Sequence, residues 1–367
     1  MFGARKRGLL GAVVLGAAAA TGCGTTPAAP DHCPTTAPPD VATVIGWTGY
    51  IAAHRDDVSL VVDDGRGTRV VNRPDQPQPL ASAVKVVTLA AYGRAVAQGR
   101  VRPDEPFRVG DWERWFLPDT DGGAHVRALD LAGIAHDRVR ALDPQRVVPL
   151  DQLVTSMIQV SDNAAADFLR DRLGDEALRQ AAADGGWPNL DLPAEVGGII
   201  ALYAPELAPP LTAPRSVRAL AEWALARRYA TDPVLRADLL TRPLPPQDFE
   251  RQWSDSGAAA SAQQLAALHR AIATGSFGPG TDIARTHLEH QPSTLPDVTG
   301  IGYKGGSLNG VLTGGIELRR DDGTIASAAL LVRRMQPDEQ SKASSPENLL
   351  IAAMTDPAVM ARLHCSV

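Results

Sequence analysis

The residues able to pair as β-strands lie at opposite ends of this chain, and that arrangement limits the folds open to it. Val58–Asp63 alternates and is rich in β-branched residues; Gly65 and Gly67 then turn the chain, and Thr68–Val71 continues it as a hairpin. Extended character returns only at Val298, where Val311–Leu318 and Ile325–Val332 flank the turn Asp321-Asp322-Gly323. Between these blocks the pattern is mostly helical. Pro77 and Pro79 break the chain before a helix over 82–98, Pro149–Gly174 reads as a helix pair, and Ser216–Arg228 and Ser261–Ala273 are helical. A final helix covers about 346–363. Residues 100–145 read as irregular, and 183–215, rich in Gly and Pro, as a long surface or site-lining loop. A single antiparallel sheet can form only if the two ends of the chain meet. The expected class is α+β, with one domain over 41–367: a sheet from about 41–80 and 295–367, and a helical subdomain over about 82–290.

The N-terminus reads as an export address. Arg5, Lys6 and Arg7 precede the apolar run Leu9–Ala20, which is too short to span a bilayer. The run ends Ala20-Thr21-Gly22-Cys23, which resembles a bacterial lipobox, although Ala20 stands where Leu is usual. Residues 1–22 are thus expected to be a signal peptide, Cys23 to carry lipid, and 23–40 to be a flexible tether. The alternative is a plain secretory signal; either way the protein is exported, and lipid on Cys23 would anchor it to the cell membrane. With Cys23 lipidated, Cys33 and Cys365 are the remaining cysteines, and an oxidising compartment favours a disulfide between them over two free thiols. That bridge would bring the chain's ends together, as the sheet requires.

The formal net charge is −6, and no basic cluster is visible in the folded part, which argues against nucleic acid as a partner. The 36 basic residues include four lysines: Lys6, Lys85, Lys304 and Lys342. Lysine, unlike arginine, can lose its proton when desolvated and act as a base, so each retained lysine is a candidate for chemistry.

Three short motifs hold the candidates. Ser82-Ala-Val-Lys85 opens a helix and sets a hydroxyl and an amine on one face, beside backbone N–H groups that can receive an oxyanion. Ser161-Asp162-Asn163 sits at a break between helices, where a hydroxyl can relay a proton and an amide can hold a carbonyl. Tyr303-Lys304-Gly305-Gly306-Ser307, read as the end of one strand leading into Leu308-Asn309-Gly310, offers a cation and glycines that let a ligand approach a strand closely. Taken singly, each has a plainer reading: a solvated helix, a helix cap and a Gly-rich hairpin.

Together and in this order they resemble the S-x-x-K, S-D-N and K-T-G set of class A β-lactamases and penicillin-binding proteins, over a stretch from about Val58 to the C-terminus. The run Asn163-Ala-Ala-Ala-Asp-Phe-Leu adds to the likeness. The resemblance implies a five-stranded antiparallel sheet flanked by helices, with an all-helical subdomain and the site between them. It implies Ser82 as the acylated nucleophile, Lys85 as its base and Ser161 as proton shuttle. Asn163 would orient the substrate, Lys304 would hold its carboxylate, and the glycine at 306 would let it approach. The amides of Ser82 and Ser307 would form the oxyanion hole. The implied protein is a monomeric serine hydrolase of β-lactams or related acyl donors, without metal or other cofactor. The alternatives are a D,D-peptidase-like or ester-cleaving enzyme of cell-wall or other small substrates, and a penicillin-binding lipoprotein that hardly turns over.

Two departures bear on that reading. Gly305 replaces the threonine of K-T-G, and Ser307 is the hydroxyl placed to compensate. In class A enzymes the deacylating water is held by the Glu and Asn of a Trp-Glu-Pro-Glu-Leu-Asn loop. The nearest match here is Tyr203-Ala-Pro-Glu-Leu-Ala208, with alanine at both places. Either Glu206 or Glu195 serves from a shifted loop, or the acyl-enzyme is long-lived; the second is expected for β-lactams. His287 and His290, an i, i+3 pair, are read as surface histidines. Trp112, Trp115 and Phe116 either pack in the core or line the cleft.

Overall fold

The computed structural model describes residues 33–367. The signal segment and Cys23 lie outside the described residues.

Five strands form one antiparallel sheet: β1 (Val58–Asp63), β2 (Arg69–Asn72), β3 (Val298–Leu308), β4 (Val311–Arg320) and β5 (Ile325–Val332), in the order β2-β1-β5-β4-β3. The two ends of the chain meet where β1 pairs with β5, from Val58↔Val332 to Asp63↔Ser327. Side chains alternate between the faces of a strand, and the burial follows that rule. Leu60, Val62, Ala328, Leu330 and Val332 join a core on the outer face, whereas Val61, Ala329 and Leu331 join a second core on the inner face.

Ten of the helices pack on the sheet or shape the cleft: α1 (Val44–Ala53), α2 (Lys85–Ala97), α3 (Ala124–Leu131), α4 (Leu150–Gln159), α5 (Asn163–Leu173), α6 (Glu195–Tyr203), α7 (Arg215–Thr231), α8 (Ala262–Thr274), α9 (Pro346–Thr355) and α10 (Pro357–Ser366). The outer core is closed by α1, α9 and α10 through Trp47, Tyr50, Leu349, Leu350 and Leu363. The inner face packs on α8, a helix started by a capping box at Ser261 and Gln264. Buried from Lys85 to Ala95, α2 runs through the middle of the inner core, as expected of a helix apolar on every side.

The sequence reading departs from this structure in places. Helix α1 has no signature in the sequence, because Val44–Ala53 is apolar all round and shows no face. The segment 183–215 is not simply a loop, since it contains α6, and the irregular stretch 100–145 contains α3. The terminal helix is two, divided at Asp356 before Pro357. Lys304 stands within β3, not at a strand end.

Cys33 and Cys365 are joined by a disulfide, with their Cα atoms 5.6 Å apart. Residues 33–40 have no regular structure, yet they lie against the fold: the Asp40 N–H donates to the Gly46 carbonyl, and the Ser344 N–H donates to the Val41 carbonyl just beyond.

Candidate active site

Ser82 sits in a single 3₁₀ turn, Ala81–Val84, that leads into α2. Ala81 holds φ of +46°, a left-handed conformation that costs free energy for a residue with a side chain. Two contacts hold the turn: Leu80 donates its N–H to the Ala258 carbonyl, and the Thr313 hydroxyl donates to the Leu80 carbonyl at 2.8 Å. Strand β3 then comes so close that a Cβ on Gly306 would stand 2.4 Å from the Ser82 nitrogen and 2.8 Å from that of Ala83. Only glycine allows this approach. The nitrogen of Ser82 and the strand at Gly306–Ser307 therefore face each other across the mouth of the site.

Lys85 is 1 % exposed, and four oxygens surround its amine. Nζ donates to Ser82 Oγ at 3.0 Å, to the Ser161 carbonyl at 2.7 Å and to Asn163 Oδ1 at 2.5 Å. Ser161 is also left-handed, with φ of +67°. That twist turns its carbonyl onto Lys85 while its hydroxyl accepts from Lys304 Nζ at 3.0 Å and lies 3.4 Å from Lys85 Nζ. One hydroxyl thus touches both lysines. Burial and the nearby Lys85 charge push the Lys304 amine down to about 7, partly offset by Glu195. Lys304 also donates to the Gly305 carbonyl at 2.7 Å.

A buried ionic clamp holds the Ser161 turn in place. Asp162 caps α5 through the Ala165 N–H and bonds His125 Nδ1 at 2.9 Å. The His125 ring lies between Phe116 and Trp112, and its Nε2 is 3.5 Å from Glu113. Burial disfavours the imidazolium, but Asp162 and Glu113 outweigh that and raise the pKa to about 9. Trp112 and Phe116 therefore serve this clamp and the core, and they do not line the cleft. Nor is His287 a surface histidine: it is buried, with Nε2 2.9 Å from Asp151. Among the described residues, no three His, Cys, Asp or Glu side chains converge as metal ligands.

The cleft has a volume of about 1100 Å³. Ser82, Ser161 and Asn163 line it, as do Lys304–Asn309 of β3 and the residues that follow it, and Glu195, Gly198, Ile199 and Leu202 of α6. Ser82, Lys85, Ser161, Asn163, Lys304, Gly306 and Ser307, all singled out from the sequence, are thus brought together. The Ser307 hydroxyl accepts from Gln340 Nε2 at 3.1 Å.

The two acidic candidates part company. Glu206 is exposed, pairs with Arg242 at 2.7 Å and does not line the cleft. Glu195 does, from the first position of α6. Its backbone is fixed by Asp167, whose carboxylate accepts from the N–H groups of Glu195 at 2.9 Å and Val196 at 2.8 Å. Burial and the Glu195 charge raise the Asp167 pKa to about 7. Behind Lys85, a cavity of about 20 Å³ touches Thr88, Asp167, Arg170 and Glu195, which is room for one water. The sequence names Glu195 only as an alternative to Glu206, because the contact that places it spans 28 residues. The aspartate of Asn163-Ala-Ala-Ala-Asp167 was the available signal.

With this geometry in view, comparison with known proteins assigns the family. The description "Beta-lactamase enzyme family" matches residues 47–281, more than half of the chain. The chain belongs to that family. As a β-lactamase-family protein it is a serine hydrolase, and solved structures share its fold. A β-lactamase from Sphaerobacter thermophilus superposes with a TM-score of 0.53 at 16% identity, over 87% of this chain and 96% of that one. The chromosome-encoded β-lactamase of Vibrio parahaemolyticus gives 0.52 at 11%, over 86% and 100%. A structure described as PBP-A gives 0.51 at 16%, over 90% and 98%. No curated protein matches the sequence.

Proposed function

We propose that this β-lactamase-family protein hydrolyses β-lactams or related acyl donors through an acyl-enzyme on Ser82. The observation that carries the proposal is the position of Lys85 Nζ, within 3.0 Å of Ser82 Oγ and bonded also to the Ser161 carbonyl and Asn163. In the neutral form Lys85 takes the Ser82 proton as Oγ attacks the carbonyl carbon. The resulting oxyanion faces the amides of Ser82 and Ser307. As the C–N bond breaks, Ser161 gives its proton to the leaving nitrogen and is resupplied by Lys304, which touches its hydroxyl. A pKa of about 7 suits Lys304 to that exchange. Glu195, on the cleft wall beside a water-sized cavity, is the base for hydrolysis of the ester.

A second reading, a penicillin-binding protein that retains its acyl group, is favoured by Ile199. It stands four residues after Glu195, where class A enzymes carry the asparagine that helps hold the water, and an isoleucine offers no amide.

Intact mass followed over time after a labelled penicillin is added tests both. An adduct that forms and clears, absent in Ser82→Ala and persistent in Glu195→Gln, supports hydrolysis. A stable wild-type adduct selects the second reading, and no adduct refutes both. Full acylation of Lys85→Arg would remove Lys85 as the base.

The same proposal includes export and a lipid on Cys23. The Cys33–Cys365 bridge supports an oxidising compartment. Replacing Cys23 by serine should release the protein from the membrane fraction.

A further inference from the structure

Gly305 and Gly314 face each other across strands β3 and β4, and one side chain covers both. A Cβ on Gly305 would lie 2.4 Å from the Tyr303 hydroxyl oxygen, and one on Gly314 would lie 2.9 Å from the Tyr303 ring and 3.0 Å from its hydroxyl. Tyr303, two residues before Gly305, shares its face of the strand and lies across the glycine pair. Its ring packs against the outer core, while Tyr303, Gly305, Ser345 and Pro346 together line the cleft wall.

The phenol therefore ends where a side chain on residue 305 would begin. Lys304 reaches the same residue from its carbonyl, at 2.7 Å, so an ammonium and a phenol flank one position. Burial holds the phenol up at about 12, so it remains a donor throughout the neutral range. Ser307, the hydroxyl expected to compensate, is exposed and engaged by Gln340.

We propose that Tyr303 is a substrate-binding residue whose hydroxyl replaces that of the missing threonine at 305, donating to the carboxylate of the acyl donor beside Lys304. The assignment rests on the acyl-transfer reading above. The test compares a labelled penicillin with the same compound methylated at its carboxylate, using wild type and Tyr303→Phe, which keeps the ring. A lost hydrogen bond to a charged group should raise the penicillin concentration for half-maximal acylation on the order of tenfold or more, with the limiting rate little changed. The methyl ester should show no such shift. In Tyr303→Val with Gly305→Thr, which exchanges one hydroxyl for another, the affinity for the carboxylate probe should return. No loss in Tyr303→Phe, or an equal loss with both probes, overturns the assignment. If the wild type takes no label from either probe, the acyl-transfer reading fails and this assignment fails with it.

Discussion

The clamp beneath the Ser161 turn makes a quantitative prediction about pH. His125 has a pKa near 9 in the fold, against an ordinary value of 6.5. Its folded pKa is raised, so the stability it contributes is fully present below about pH 6.5 and is lost as pH climbs through 9. The shift corresponds to about 3 kcal/mol at most, or roughly 4–5 °C in Tm for a chain of this size. Lys304 works against this trend: its pKa falls from 10.5 to about 7 on folding, so its contribution rises with pH over an overlapping window. The wild-type profile alone is therefore ambiguous, and the diagnostic quantity is the difference from His125→Asn, in which Lys304 is common to both proteins. Urea unfolding of both proteins at steps from pH 6 to 10 gives that difference. It should shrink by about 3 kcal/mol between pH 6.5 and 9, after which only a pH-independent packing loss remains. Two curves that run parallel across that window would refute the claim that a charged imidazole holds the turn.

Three further outcomes are expected. Above pH 7 Lys304 is mostly neutral, so the concentration of a carboxylate-bearing penicillin needed for half-maximal acylation should rise from pH 6 to 8.5, and Lys304→Arg should flatten that dependence. Gly306→Ala puts a methyl 2.4 Å from the Ser82 nitrogen; its acylation rate should fall at least about tenfold while circular dichroism stays native, and wild-type rates would disprove the close approach. Cys33→Ser removes a bridge between residues 332 apart; the loop-entropy relation gives about 6 kcal/mol as an upper figure, read as a lower urea midpoint that reduction of the wild type should reproduce.

How far the sequence could be read depended on what each residue does. Ser82, Lys85, Ser161, Asn163 and Lys304, which converge in the structure, were legible because the roles proposed for them demand particular side chains at particular spacings along a helix, turn or strand. The five strands were legible because a sheet packed on both faces needs apolar β-branched runs, as in Val58–Val62. Glu195 was not resolved, because nothing local marks it; Asp167 fixes its place from another helix. Glu206, in the string Tyr203–Ala208, stood beside it as an equal candidate, although that carboxylate points to solvent and Arg242. Helix α6 was hidden by Gly197 and Gly198, which read as loop. Gly197 is required because α7 crosses it so closely that a Cβ would collide with the Glu222 carbonyl. His125 was passed over because its partners Glu113 and Asp162 lie on either side of it in sequence, 12 and 37 residues away.

The pairing of β1 with β5 also sets a timetable for synthesis. The central neighbour of Val58 is Val332, so the first strands made wait with an open edge until nearly the whole polypeptide has been delivered. Lys304 and Gly306 arrive on that same late segment, after Ser82, Lys85 and Ser161. A nascent chain that stops short of β3 therefore lacks the strand facing Ser82 as well as the cation beside Ser161. Assembly of the cleft around Ser82 is in this way tied to synthesis of β3.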